Sequence, residues 1–499
     1  MITFLILLAA IAILVWGFIR VRPYGKLGIL AWLQSVVLMA PWLFFFGLFA
    51  AGIYINLAGV LLLVLISAGL YIYLGRRLRR LGSDELAAKR ASSFAAIADD
   101  DEAVASTGPQ ADSSTPEATT ASNESTFTAI PAAELSQIEG IFGIDTFFRT
   151  ETIPYQEGAI FKGNLRGEPE ATATKLAELL SERLSDRYRL FLLEGPEDRP
   201  VVIVLPSSTE PQPTTTAQKV LCVALAVATL ATSLETSGIL LGFDFFQEVN
   251  RWAEVLPLAL GILAILVVHE LGHFFQAQRY QVKTSPPFFL PAWQIGSFGA
   301  LTRFESLLPN RTVLFDIALA GPAVGGLLSL AMLLLGLGLS HPGSLFQIPA
   351  GFFQGSILVG ALARVMLGTA VQQSLVDVHP LVLLGWLGLV INAINLMPAG
   401  QLDGGRVVQA VYGRKVAGRM TIVTLVVLAL VSFVNPLALY WAVLILFLQR
   451  NLERPCLNDL SEPDDARAAL GLLALFLMLA TLLPLSPGLA GRLGIGAML

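Results

Sequence analysis

Long apolar runs recur along this chain, and several approach the length that a helix needs to cross a membrane. The chain has 499 residues, of which 55% are hydrophobic and only 14% are charged. A soluble domain carries about 25% charged residues, and a helical span needs about 20 mostly apolar residues. The sequence therefore predicts an all-α polytopic membrane protein that also contains a small soluble α+β domain.

Hydropathy separates two membrane blocks, which together predict ten spans. Three spans lie in an N-terminal block, residues 1–80, and the others lie in residues 216–455 and in a C-terminal segment, 456–499. The moderately apolar stretch 353–373 contains Arg364 and is predicted to be interfacial or re-entrant. The predicted spans are residues 2–19, 28–50, 53–74, 219–241, 256–278, 314–339, 380–398, 419–434, 436–450 and 467–485.

The composition changes twice between the two membrane blocks. Residues 81–133 are rich in Ala, Ser, Thr, Asp and Glu, which predicts a disordered acidic linker. Residues 134–215 predict the soluble α+β domain. The segments behind that prediction are a strand within 155–165, an amphipathic helix at 172–186 and short strands at 188–193 and 200–205.

Positive charge predicts how the spans are oriented, because Lys and Arg collect in cytoplasmic loops. Basic residues follow the first and third spans, and Arg279 and Lys283 follow the span at 256–278. This pattern places the soluble domain and the C-terminal end of that span in the cytoplasm, with both chain termini outside. The apolar beginning of the chain is interpreted as a retained span rather than a cleaved signal or transit peptide.

The span at 256–278 carries three ionisable side chains close together. His269 and His273 are four residues apart and share one helix face, with Glu270 beside them. The pattern H-E-x-x-H is the signature of zinc metalloproteases, with two histidine ligands and a glutamate base. Because ionisable groups inside a membrane are costly, they are functional candidates by default. The alternative is that the histidines are satisfied core residues and that Glu270 belongs to a structural ion pair.

A catalytic zinc ion takes three protein ligands and a water, so this pair needs a third residue. The chain has four histidines, and the other two, His341 and His379, are predicted on the outer side. Asp403, at the cytoplasmic end of another span, fits the requirement. Asp403 could instead cap a helix, and the nearby Asn395 could be an interhelical hydrogen-bonding residue.

Two motifs together resemble the site-2 protease family of intramembrane zinc metalloproteases. They are His269-Glu270-x-x-His273 and Asn395-x-x-Pro398-x-x-x-Leu402-Asp403-Gly404, with one full span between them. Gly163-Asn164-Leu165-Arg166 is similar to the signature of one subgroup, the ethylene-dependent gravitropism-deficient and yellow-green proteins of chloroplasts and cyanobacteria. The resemblance covers residues 134–450.

The resemblance implies a Zn²⁺ cofactor and a role for each matching residue. His269, His273 and Asp403 would bind the metal, and Glu270 would be the base that deprotonates the attacking water. Asn395 would hydrogen-bond the substrate or the oxyanion. The substrate would be a transmembrane segment of a membrane-anchored protein, cut near the cytoplasmic face of the bilayer, or the stromal face in a plastid.

Three other features have more than one interpretation. Residues 294–304 form either an ordinary loop or a strand or hairpin that pairs with the unwound substrate by β-augmentation. Gly321 and Gly325 are small residues four apart in a span, which predicts close helix packing. Asp316 either orients a ligand histidine or lies in interfacial water.

Composition weighs against other classes of protein. The net charge of −5 indicates no nucleic-acid surface, and two cysteines cannot form a disulfide framework. A transporter would be expected to show repeated broken helices, and a non-catalytic scaffold would be expected to have lost Glu270. A scaffold or transporter that retains a metal site is the alternative function. The expected location is a bacterial or cyanobacterial plasma or thylakoid membrane.

Overall fold

A computed structural model describes residues 25–50 and 130–495, except 156, 196–198, 294 and 450, together with scattered positions between 18 and 78. Almost all of the predicted span at 2–19 and of the predicted linker at 81–133 lies outside the described residues. The chain divides into two units. One comprises residues 126–424 with 449–499, and the other comprises residues 1–125 with 425–448.

Helical segments of the second unit fall on predicted spans. Helix α1, Gly25–Ala50, covers the predicted span at 28–50 and contains Pro41. A later helix, Pro436–Leu444, begins after an Asn435 cap and continues as one π-helical turn, Ile445–Gln449.

The larger unit begins with a four-stranded antiparallel sheet inside the predicted soluble domain. Along the sheet the strands are ordered β1 (Phe147–Tyr155), β2 (Gly158–Leu165), β4 (Pro200–Pro206) and β3 (Tyr188–Glu194), and the amphipathic helix α3 (Pro169–Leu184) covers one face. The sequence pattern does not predict β1, because this edge strand has only one buried residue and lacks apolar alternation. The elements are α2 (Ala132–Glu139), β1 (Phe147–Tyr155), β2 (Gly158–Leu165), α3 (Pro169–Leu184), β3 (Tyr188–Glu194) and β4 (Pro200–Pro206).

Four helices among the described residues are long and apolar enough to cross a membrane. They coincide with predicted spans, so the helical character of these four spans is confirmed, while the total of ten remains a prediction. The four are Thr216–Leu240, Val249–Arg279, Arg311–Leu339 and Asp465–Leu482. We label their α-helical parts α4 (Thr216–Leu240), α5 (Trp252–Arg279), α6 (Arg311–Leu339) and, at the end of the chain, α11 (Asp465–Leu482).

Shorter elements connect these helices. Helix α7 (Ile357–Leu367) has 11 residues, about 17 Å at 1.5 Å per residue, and is therefore shorter than the hydrocarbon core of about 30 Å. Helix α8 (Pro380–Asn395) ends before the predicted end of its span, because a turn containing Pro398 and Gly400 follows. The elements are β5 (Phe288–Ala292), β6 (Gly296–Leu301), β7 (Phe346–Pro349), α7 (Ile357–Leu367), β8 (Leu375–Val378), α8 (Pro380–Asn395), α9 (Asp403–Val431), α10 (Pro436–Leu444) and α12 (Pro487–Leu493).

Packing around α6 forms the centre of the larger unit. Helix α6 contacts both α5 and α8, and α4 covers the antiparallel hairpin of β5 and β6. The hairpin lies within and just before the segment 294–304 that the sequence analysis considered as a strand or hairpin. Both cysteines, Cys222 and Cys456, are buried and unpaired, and burial raises the pKa of the Cys456 thiol well above its usual value.

Candidate metal centre

Helix α5 places two imidazoles together near its C-terminal end. Residues four apart lie one above the other on a helix, and the Nε2 atoms of His269 and His273 are 3.1 Å apart. Both side chains are buried. Glu270 is half-buried beside them, and the three residues each offer a ligand atom within 4.8 Å of the others. The predicted His-Glu-His group is therefore assembled by a single helix.

Asp403 reaches this group from the first turn of α9. Its Oδ2 atom lies 3.2 Å from His269 Nε2 and 3.4 Å from His273 Nε2. The chain can return so abruptly because Gly400 adopts a φ of +49° in the turn after α8. Gly404 lets the beginning of α9 lie close to the end of α8, since a Cβ atom at this position would lie 1.8 Å from the Leu396 carbonyl oxygen.

The spacing of these three donor atoms fits a zinc ion. Bonds of about 2.0–2.1 Å to nitrogen and oxygen put the corners of a tetrahedron about 3.3 Å apart. The three separations are 3.1, 3.2 and 3.4 Å. His269, His273 and Asp403 are therefore spaced as three ligands of one zinc ion would be.

Two neighbouring groups fix the tautomers of the imidazoles. His273 Nδ1 lies 2.7 Å from the Ile317 carbonyl oxygen, which can only accept, so this nitrogen carries the proton. His269 Nδ1 lies 2.8 Å from Asn392 Oδ1, while the Asn392 amide donates to the Gly388 carbonyl. In both rings the Nε2 lone pair is consequently directed at Asp403, as a metal ligand requires.

Glycines in α6 make room for the imidazoles. A Cβ atom at Gly321 would lie 2.2 Å from His273 Nε2, and one at Gly325 would lie 3.0 Å from His269 Cβ. The spacing of these small residues predicts only general helix packing. The structure shows that their immediate neighbours are the two ligand candidates.

Glu270 is held by a chain of contacts that reaches α9. The Thr302 hydroxyl donates to Glu270 Oε2 at 2.8 Å, and the Thr302 carbonyl accepts from Arg406 Nη2 at 2.8 Å. Arg406 is paired with Glu453 at 2.9 Å, and both side chains are buried. Because Arg406 follows Asp403 by one helical turn, this chain links the base candidate to the element that carries the acidic ligand candidate.

Asn395 lies against β6 rather than next to the imidazoles. Its Nδ2 donates to the Phe298 carbonyl at 3.1 Å and to the Ile391 carbonyl at 2.9 Å. Gly299 has a φ of +109°, and a Cβ atom there would lie 2.5 Å from the Asn395 amide nitrogen. Both amide hydrogens of Asn395 are thus occupied by main-chain carbonyls in this structure.

The other candidate residues lie elsewhere. His341 is exposed in the loop after α6, and His379 caps the beginning of α8. Asp316 accepts hydrogen bonds from Tyr280 and from Arg467, at 2.7 Å to the Arg467 Nε, and does not contact a ligand histidine. The hydrogen bond to Asp316 raises the pKa of the Tyr280 hydroxyl.

A small cavity lies at the cluster. Its volume is about 20 Å³, and Glu270, His273, Thr302, Asn395 and Asp403 are among the residues that line it. One water molecule needs about 10–15 Å³ of such volume. The cavity therefore accommodates one small group beside Glu270, but not a peptide chain.

Sequence reasoning missed three contacts at this site, those of Asn392, Thr302 and Ile317. Asn392 carried a signal, since it is a polar residue in the middle of an apolar helix and such residues are functional candidates. The other two contacts depend on tertiary packing. The Thr302 hydroxyl, just after β6, and the Ile317 carbonyl, in α6, give no local sequence signal.

Apolar helices that bury a His-Glu-His group against a carboxylate define a membrane metalloprotease. Residues 257–434 match the family described as Peptidase family M50, and residues 136–213 match the EGY3 middle domain. The chain belongs to the M50 (site-2 protease) family of zinc metalloproteases, in its EGY-like subgroup. Family membership confirms the predicted class of protein, its zinc cofactor and its integral membrane character.

Several curated relatives of this chain are plant proteins. The chain is 40% identical over 394 residues to probable zinc metalloprotease EGY1, chloroplastic, of Arabidopsis thaliana, with 71% of this chain and 72% of that protein covered. It is 38% identical over 363 residues to EGY2 of the same plant, with 71% and 65% covered. EGY3 of Oryza sativa is 34% identical over 388 residues, with 72% and 65% covered. No solved structure matches the chain.

Proposed function

We propose that this protein is an intramembrane zinc endopeptidase. Its substrates are transmembrane segments of membrane-anchored proteins, which it cuts in the manner of regulated intramembrane proteolysis near the cytoplasmic or stromal face. The observation that carries the proposal is the tetrahedral spacing of donor atoms on His269, His273 and Asp403, with Glu270 beside them at the end of an apolar helix.

Each residue of the cluster has a role in the proposal. His269, His273 and Asp403 hold the zinc ion, which supplies a Lewis acid when bound. Glu270 takes a proton from the attacking water and passes it to the leaving amine. Thr302 occupies Glu270 Oε2, so the other carboxylate oxygen is left for proton transfer.

Asn395 and β6 are proposed to meet the substrate. Hydrolysis requires an accessible amide, but every amide inside a helix is bonded internally, so the substrate segment must unwind. β6 provides a strand against which the unwound backbone can pair. The Asn395 amide now donates a hydrogen bond to the Phe298 carbonyl. To bind the substrate or the oxyanion, it must give up that bond and donate to the substrate instead.

We also propose that the chain is divided into five regions. Residues 1–80 form an N-terminal membrane block, 81–133 a linker, 134–215 the soluble domain, 216–455 the catalytic core and 456–499 a C-terminal span with its tail. Ten spans orient the zinc end of α5 toward the cytoplasm, as the following basic residues favour. The chloroplastic names of the relatives support a photosynthetic membrane, either thylakoid or cyanobacterial plasma membrane.

An inactive variant in the native host tests the function. In cells that carry Glu270→Gln in place of the wild type, we expect uncut membrane-anchored proteins to accumulate, as detected by membrane proteomics. An identical membrane proteome in both strains would contradict the proposal. Metal analysis of the purified wild-type protein tests the zinc site itself, since a protein without zinc would not be this protease. The proteome comparison separates the protease from a scaffold or transporter that retains the metal, because Glu270→Gln should change nothing in those proteins.

Substrate unwinding has its own test. A substrate span that contains Gly or Asn should be cut faster than a poly-Leu span of equal length, because helix-weakening residues lower the cost of exposing the amide. Equal rates would contradict the unwinding step.

A further inference from the structure

A second, larger cavity adjoins the catalytic one. It has a volume of about 320 Å³ and shares Arg303, Gln401 and Arg406 with the small cavity at Glu270. Because the small cavity holds only one small group, a bound peptide must continue beyond it. The larger cavity is a polar continuation that begins at the end of β6.

The acidic residues that line the larger cavity are already engaged. Glu210 is paired with Arg189 at 2.6 Å, and Glu453 is paired with Arg406 at 2.9 Å. Glu305 accepts from the Thr214 backbone nitrogen at 2.8 Å. Arginines therefore balance the charges of Glu210 and Glu453, whereas Glu305 keeps its charge and is held by hydrogen bonds.

Two arginines that line the same cavity are held by uncharged groups rather than by carboxylates. Arg303 donates to the Gln218 side-chain oxygen at 3.3 Å, and Arg454 donates to the Thr209 carbonyl at 3.0 Å. Within the described part of the chain neither has a carboxylate partner. Both side chains are exposed at the cavity, so their remaining guanidinium hydrogens can bind a ligand.

We propose that this cavity binds the part of the substrate that leaves the membrane beside the scissile bond, and that Arg303 and Arg454 select an acidic side chain there. The inference rests on the proposed function, since it assigns a specificity to the same site. A guanidinium group binds a carboxylate through two parallel hydrogen bonds, whereas it repels a lysine. The arginines are exposed, so the preference is modest, about fivefold in affinity for one pair.

Binding to an inactive enzyme tests the inference without turnover. Zinc-loaded, full-length Glu270→Gln protein in lipid nanodiscs is titrated with fluorescent transmembrane peptides that carry Asp, Asn or Lys in the flank beside the cut. We expect the Asp peptide to bind about fivefold more tightly than the Lys peptide. Adding Arg303→Glu should reverse that order.

A matched control isolates the cavity. Arg279 is exposed at the end of α5 and does not line the cavity, so adding Arg279→Glu makes the same charge change nearby and should keep the preference for Asp. Equal affinities for all three peptides, or an unchanged order in the Arg303→Glu protein, would overturn the inference. Cleavage by the wild-type enzyme is measured separately: if the Asn peptide is cut while affinities are equal, the proposed function stands and only the inference fails.

Discussion

The Oδ2 atom of Asp403 lies 3.2 Å from the Nε2 atom of His269, although three further helices, α6, α7 and α8, separate them along the chain. Asp403 is buried, and a buried carboxylate needs a strong partner to offset the loss of hydration. The two imidazoles cannot fully provide one while their protons reside on Nδ1. A zinc ion between the three side chains would satisfy all of them.

Asp403→Asn should remove the zinc. The amide keeps the size of the carboxylate but lacks its charge, so we expect purified protein to contain far less than one zinc per chain by mass spectrometry. Asp316→Asn is the matched control, because Asp316 contacts Tyr280 and Arg467 instead of the imidazoles, and it should retain zinc. Full zinc occupancy in Asp403→Asn would show that this carboxylate is not a ligand.

Asn392→Ala should weaken metal binding without abolishing it. Loss of the Asn392 contact frees the His269 ring to rotate and to adopt the other tautomer. Removing such an outer partner typically costs 10-fold to 100-fold in metal affinity, roughly. Competition with a zinc chelator measures the effect, and an unchanged affinity would mean that Asn392 does not orient the ligand.

Gly321→Ala should displace His273, because the added Cβ atom would lie 2.2 Å from its Nε2 atom. We expect loss of zinc and of activity, together with destabilisation of about 1–3 kcal/mol from overpacking. Gly326→Ala in the same helix meets no atom within 4 Å and should behave like wild type in zinc content and thermal unfolding. If both variants behaved alike, the close contact between Gly321 and His273 would not be needed for zinc binding.

Thr302→Val should lower kcat while zinc content and KM stay near wild type. Valine keeps the shape of threonine but cannot donate to Glu270 Oε2, so the carboxylate loses its orientation. Loss of one hydrogen bond to a charged group is worth about 1.5–3 kcal/mol, which predicts a decrease of roughly 10-fold to 100-fold. Thr302→Ser keeps the hydroxyl and should retain most of the wild-type kcat. If Thr302 had a purely structural role, the kcat values of the Val and Ser variants would be similar.

The sequence predicted the elements that depend on local pattern. Helical spacing placed His269 and His273 on one face, and the order of spans put Asp403 at the same membrane side as both histidines. Apolar runs located α4, α5, α6 and α11, because a membrane span must be long and apolar regardless of its neighbours.

Contacts between distant segments could not be predicted in this way. Arg467 pairs with Asp316 from 151 positions further along the chain, and Thr302 reaches Glu270 only because β6 packs beside α5. A single sequence does not record such pairings. Strand β1 was missed for a related reason, since an edge strand exposed to solvent carries no apolar alternation.

The proposed function requires that this site cut a peptide bond inside a membrane. Wild-type and Glu270→Gln proteins are reconstituted with zinc and a single-span substrate in liposomes, and the products are mapped by mass spectrometry. We expect one cut within the apolar segment of the substrate, near the face where α5 ends, and no cut by Glu270→Gln. A cut confined to the soluble flanks, or one that persists in Glu270→Gln, would contradict it.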